Sequence, residues 1–178
     1  MNVKFRTLEA YEIEVKVKQV KQNGLVALLY KTARTDMDIL DETVGAGNWT
    51  NDYREIKGNL YCGIAIKDTS TGEWVQKWDC GIGSREDGEG NEKKGEASDA
   101  FKRAGFRWGI GRELYTSPFI WIPGDKAEIR QNQNKFQCFD KFSVEKIAYS
   151  EDGRRIVGLA IYNDTKRARA YVWAEQSK

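Results

Sequence analysis

The sequence predicts an α+β fold: an antiparallel β-meander packed on a long basic helix, a β-β-β-α core, with extra strands at the C-terminal end. Three observations carry this expectation. Polar and apolar residues alternate along Glu12–Lys18, the period of a strand with one buried face, and Leu60, Cys62, Ile64 and Ile66 make one apolar face at the same period. Ala97, Phe101, Ala104 and Trp108 recur at helical spacing and make one apolar stripe. Strand-like runs resume after that helix, so strands flank one helix instead of alternating with several.

Each element follows from local signals. Residues 11–33 read as a strand pair turned at Asn23-Gly24, with Leu25–Tyr30 as the second, apolar run. Residues 34–46 read as a helix, with Met37, Leu40 and Val44 inward and Gly45 and Gly47 as the stop. Its acids, Asp36, Asp38, Asp41 and Glu42, are expected mostly on a solvated face, Asp36 also favouring the helix N-terminus. Trp49–Lys57, Leu60–Ile66 and Trp74–Ile82 form the meander, joined by Lys57-Gly58-Asn59 and Thr69–Gly72. Ser84–Asn91, acidic and glycine-rich, reads as a mobile loop, and its glycines are not a phosphate loop because no Gly-Lys-Ser/Thr follows. Residues 92–110 form the clearest helix, ended by Gly109 and Gly111. Phe119–Ile122, between Pro118 and Pro123, reads as a short extended piece, and residues 125–135 as a polar loop. Strands follow at 140–149, 154–163 and 168–174. A chain of 178 residues with this pattern is expected to be one domain, its core about 11–118 and a strand-rich extension about 136–174.

Composition narrows the chemistry. There is no histidine, which excludes Ser-His-Asp and Cys-His catalysis and any histidine-ligated metal. The three cysteines, Cys62, Cys80 and Cys138, are odd in number and widely spaced, so they fit neither a disulfide framework nor a four-cysteine zinc site. No apolar run is long enough to span a bilayer, and Met1–Ala10 lacks the apolar core of a signal peptide, so a cytoplasmic address is expected. Residues 1–92 carry 12 basic and 16 acidic side chains, whereas residues 93–178 carry 17 and 11. That asymmetry suits a basic face that meets a polyanion, or an ordinary mixed surface.

Two chemistries compete at this level. A magnesium nuclease needs converging carboxylates. Asp79 followed by Glu92-Lys93-Lys94 offers a formal match, but the Glu and Lys fall between a loop and a helix start instead of on a strand beside Asp79. A binding protein for single-stranded nucleic acid needs a basic groove and aromatic platforms. Lys102, Arg103 and Arg107 on one helix would supply adjacent phosphate contacts. Asp99 and Arg103, four apart, could instead form a surface pair. Phe101 and Trp108 lie on the apolar stripe and are read as core. Trp49, Tyr53 and Tyr115 are the better candidates for exposure.

The segment Lys93–Tyr115 contains Ala97-Ser98-Asp99-Ala100-Phe101-Lys102-Arg103-Ala104, then Trp108-Gly109-Ile110-Gly111 and Leu114-Tyr115. This resembles the signature of the Rad-fifty-two/Rad-twenty-two recombination family, closest to its phage Sak-type and DdrA-like members. Ala33–Gly45 with Asn48-Trp49, and the meander from Tyr61 to Gly83, are similar to the family's preceding blocks, in the same order. The resemblance covers roughly residues 30–116 and stops at Pro118. It implies ATP-independent binding of single-stranded DNA and annealing of complementary strands in recombination and repair. It implies no enzyme activity and no cofactor. Lys102 and Arg103 match the family's DNA-contacting Lys-Arg pair, and Arg34 lies near a basic position of the upstream helix. Charge and helix position add Lys93, Lys94, Arg107 and Arg112. The implied partners are single-stranded DNA and further copies of the chain in a ring, with room for a phage exonuclease or single-strand-binding protein. A small magnesium-dependent phage nuclease and a structural oligomer that does not bind DNA stand as the alternatives.

Overall fold

A computed structural model describes residues 2–82 and 88–176, residues 88–92 by their backbone alone. The chain is mixed α+β with mostly antiparallel strands and two α-helices among the described residues. Its contacts divide it into two compact units, one of residues 1–6 and 31–111, the other of residues 7–30 and 112–178.

The first unit holds a three-stranded antiparallel sheet, β3 (Trp49–Ile56), β4 (Asn59–Lys67) and β5 (Trp74–Cys80), in that spatial order. Trp49 pairs with Ile66, and Ile64 with Lys77. Cys62, Ile64 and Ile66 are fully buried, and Gly63 and Ala65 between them are buried too, so both faces of β4 are covered here. Helix α1 (Ala33–Val44) starts at Thr32, whose hydroxyl accepts a hydrogen bond from the Thr35 amide at 3.1 Å and satisfies one free N–H of the first turn. Its buried residues are Thr35, Asp36, Ile39 and Leu40. The expected Met37–Leu40–Val44 stripe is therefore rotated: Met37 is exposed, and Asp36 is not on a solvated face. The reason is a buried partner, Lys31, which the helical period alone does not reveal.

Helix α2 (Gly88–Trp108) lies in the same unit. It starts earlier than residue 92, so Gly88–Asn91, expected in the loop, are helical, while Ser84–Asp87, with the acids Glu86 and Asp87, lie outside the described residues. Ala100, Phe101 and Ala104 are buried, and the Trp108 indole N–H donates to the Ile64 carbonyl at 2.8 Å. Asp99 does not pair with Arg103. Its carboxylate accepts from the Ile82 amide at 3.0 Å, and the Glu96 carboxylate accepts from the Leu60 amide at 3.2 Å. Both acids thus satisfy backbone N–H groups at strand ends.

The helix passes α1 at Gly105. A methyl group there would overlap the Asp36 carboxylate and sit 3.2 Å from Lys31 Nζ. Helix propensity alone favours Ala over Gly by about 1 kcal/mol. Packing reverses the sign: Gly105→Ala is expected to destabilise the protein by about 1–3 kcal/mol, read as a lower urea midpoint with an unchanged slope.

The second unit holds a six-stranded sheet in the order β11-β10-β9-β1-β2-β6, with β1 as Ile13–Lys21, β2 as Gly24–Lys31, β6 as Ile120–Pro123, β9 as Phe142–Tyr149, β10 as Ile156–Asn163 and β11 as Ala168–Ala174. The early strand pair therefore shares a sheet with the C-terminal strands, Glu14 pairing with Ser143. Residues 125–135, expected as a loop, contain β7 (Ile129–Asn132), paired with β8 (Lys135–Cys138). Its Gln and Asn residues are weak strand formers, so the hairpin gave no periodic signal. Buried polar groups here are paired: the Asn163 amide donates to Asp140 at 2.7 Å, and Glu113 accepts from the Leu8 amide at 2.8 Å.

Candidate nucleic-acid interface

The basic residues singled out by the sequence fall in three places. Lys93, Lys94, Lys102, Arg103 and Arg107 lie on α2. Arg34 is exposed in the first turn of α1, in the same unit. Arg112 is exposed but lies beyond the helix, in a 3-10 turn of the second unit (Arg112–Thr116).

On α2 the apolar stripe fixes where the cations point. Successive residues on a helix are about 100° apart. With Phe101 and Ala104 turned to the sheet, Lys102 projects on the flank nearest α1, and Arg103 on the flank nearest β5. The contacts of the arginines agree, Arg103 and Arg107 reaching Asp79 of β5. The Lys102 backbone carbonyl accepts from Lys31, the partner of Asp36 of α1, at 3.4 Å. Lys102 and Arg103 thus straddle the outer ridge of the helix. Lys93 and Lys94, both exposed, stand roughly 14 Å further toward the helix N-terminus at 1.5 Å per residue. They would meet a different phosphate.

Beneath the ridge is a buried ion pair that the sequence reading missed. Lys31 Nζ lies 2.6 Å from both carboxylate oxygens of Asp36, with side-chain exposures of 1% and 0%. The same ammonium sits 4.1 Å from the centre of the Phe106 ring. A lysine ending an apolar strand, five residues before an acid in the first turn of a helix, was the available signal. The charge is therefore neutralised internally, and Lys31 is not part of a DNA-facing surface.

Asp79 is the second anchor. It accepts from Arg107 Nε at 2.9 Å, from Arg103 Nη2 at 3.3 Å and from the Cys80 amide at 2.8 Å. Burial works to raise its carboxyl. The Cys80 and Arg107 hydrogen bonds and the charges of Arg103 and Arg107 outweigh burial and hold it below the usual carboxylate range. Lys77, next but one on β5, lies 4.3 Å from the Trp108 ring centre and donates to the Arg107 carbonyl at 3.2 Å. Two cations, Arg103 and Arg107, thus close on one acid where β5 meets α2, with Lys77 beside them at the end of the helix. Lys77 escaped the sequence reading because it sits on a strand, with its partners far along the chain.

The aromatic side chains divide as follows. Phe101 is core, edge-on to Trp49 at 6.1 Å. Trp49 is half-buried, its indole N–H bonded to Asp41 at 2.6 Å, so the expected exposure is only partial. Tyr53 is exposed, with its hydroxyl 3.4 Å from the Ala97 carbonyl, and Tyr115 is largely exposed. Burial, with the neighbouring Cys62, pushes the Tyr53 hydroxyl up to about 12. Burial likewise pushes the Cys62 thiol up to about 11, which keeps it protonated and a poor nucleophile at neutral pH.

Among the described residues no three His, Cys, Asp or Glu side chains converge as metal ligands would. Asp79, the carboxylate that a nuclease would need, is engaged by two arginines. No helix of the described residues is long and apolar enough to cross a membrane. Comparison with models of protein families, with curated proteins and with solved structures finds no match.

Proposed function

We propose that this chain binds single-stranded DNA and anneals complementary strands without a nucleotide cofactor, working as a homo-oligomeric ring. In this reading β3, β4, β5 and α2 form the annealing core, a β-β-β-α unit, and α2 is its basic, DNA-facing helix. The observation that carries the proposal is the placement of Lys102, Arg103 and Arg107 on the outer flanks of a helix whose inner face is committed to the sheet. The likeness of residues 93–115 to the Rad-fifty-two/Rad-twenty-two signature supports the same conclusion.

Annealing requires no bond chemistry. Two strands that repel each other must be brought together with their base edges free. Cations that grip phosphates screen the repulsion and leave the bases to be read by the complementary strand. Each subunit offers few contacts, and a ring would add them up through effective concentration. The buried Lys31–Asp36 pair supports the Lys102 backbone from below.

The test is annealing of two complementary labelled oligonucleotides, without nucleotide, over a salt series. Wild type is expected to accelerate annealing. Lys102→Ala/Arg103→Ala is expected to stay folded, to lose the acceleration, and to bind single strands with a salt slope shallower by about 1.4, or 0.7 for each lost contact. No acceleration by wild type at any salt overturns the annealing function. Magnesium-dependent loss of the oligonucleotides would point to a nuclease, and an oligomer that ignores DNA to a structural role.

A further inference from the structure

The acid among the arginines has a role that the phosphate-binding reading leaves open. Asp79 is only 13% exposed by side chain, and both guanidinium groups close on it, Arg103 from one helical turn and Arg107 from the next. Yet the match is incomplete on the Arg103 side. Its one bond to Asp79 is long, at 3.3 Å, and its Nε is buried with no hydrogen-bond partner among the described residues. A guanidinium has five N–H donors in a fork suited to carboxylate or phosphate. One carboxylate oxygen at 3.3 Å leaves most of that fork unfilled. Arg103 remains 38% exposed, so an incoming phosphate oxygen can reach it.

We infer that Asp79 is an internal phosphate surrogate: it occupies and orients the Arg103–Arg107 pair in the absence of DNA and competes with the DNA phosphate for the same guanidinium groups. This rests on the single-strand-binding reading above and deepens it. Asp79 contacts the arginines and not the DNA, so it is a positioning residue that sets affinity. Its physical effect is to cancel one of the two positive charges that Arg103 and Arg107 present. A strand is then held more weakly than the two free guanidinium groups would hold it. For an annealing protein, weaker holding favours release of the paired product.

The charge cancelled gives the size of the effect. One additional neutralised phosphate steepens the salt dependence of single-strand affinity by about 0.7 in log–log slope. If affinities converge near 1 M salt, the gain at 0.1 M is about fivefold. The experiment compares wild type with Asp79→Asn, binding a labelled oligonucleotide from 0.05 to about 0.5 M salt, the range over which such slopes are read. Asp79→Asn should bind about fivefold tighter at 0.1 M, with the steeper slope, and should release annealed duplex more slowly. Asp79→Ser, whose hydroxyl can still accept from the Cys80 amide, repeats the test should the asparagine variant fold poorly. A folded variant with unchanged or weaker binding and an unchanged slope overturns the surrogate role and leaves Asp79 a structural ion-pair partner. If wild type itself binds no single strand at any salt, the annealing function falls first, and the role of Asp79 with it.

Discussion

Replacing Asp36 by alanine is expected to lower the stability of the protein by about 3–5 kcal/mol, the range for removing one member of a fully buried ion pair. The loss does not measure the attraction between the two charges. It is the cost of leaving Lys31 charged, at 1% exposure, without the carboxylate that neutralises it. A second variant separates these contributions. Lys31→Met/Asp36→Leu removes both charges while keeping side chains of comparable length in the core. It should recover most of the loss, because apolar replacements of a buried pair are often neutral or better. Urea unfolding followed by tryptophan fluorescence reads both, since Trp49, Trp74, Trp78 and Trp108 lie in the same unit. A loss under 1 kcal/mol in the single variant would mean that water reaches the pair in solution. Because Lys31 bonds to the Lys102 backbone, the single variant should also weaken single-strand binding among molecules that remain folded.

Phe101→Ala should cost a similar amount, about 3–5 kcal/mol, for a different reason. Phe101 is 1% exposed and meets the edge of Trp49 at an interplanar angle of 64°. Deleting the ring loses its transfer free energy and leaves a cavity between α2 and the sheet, which the helix cannot close while Glu96, Asp99 and Trp108 tie it to Leu60, Ile82 and Ile64. The urea midpoint should fall, and Trp49 fluorescence should shift as its ring gains water. DNA affinity measured under fully folding conditions should hardly change. The reverse pattern, lost DNA affinity at full stability, would make Phe101 a base-stacking platform instead of core.

The two variants mark where the chain was readable. Phe101 was assigned to the core from spacing alone, because a helix repeats every 3.6 residues and its apolar stripe must be buried. The meander was equally open to reading. The period-two apolar face Leu60, Cys62, Ile64 and Ile66 and the turn residues around Gly58 and Gly72 are local properties, and β3, β4 and β5 form where they point. Asp36 was misread by the same logic. An acid near a helix N-terminus is ordinarily solvated, and Lys31, five residues earlier at the end of the preceding strand, lies outside the helical period used to place Asp36. The β7–β8 hairpin escaped because its Gln- and Asn-rich strands lack an apolar period.

The candidate site divides along the same line. The cations of α2 were legible because they share one helix, and the stripe beside them dictates which flanks they occupy. The positions of Arg34 and Arg112 relative to that helix were not, since they lie on other elements. Nor was the setting of Arg103 and Arg107, which depends on Asp79, up to 28 residues away on a strand.

The meander strands and the apolar stripe of α2 were therefore already present in the linear order of residues, because periodicity and turn chemistry act over a few residues. The pairing of Lys31 with Asp36, the capture of two arginines by Asp79, the need for glycine at position 105 and the sharing of one sheet by β1 and β9 arose only on packing. Each brings groups from different elements within a few ångströms, and all but the Lys31–Asp36 pair, five residues apart, join groups far apart in the chain. At that distance in a partly dry interior, charge and volume outweigh local propensity.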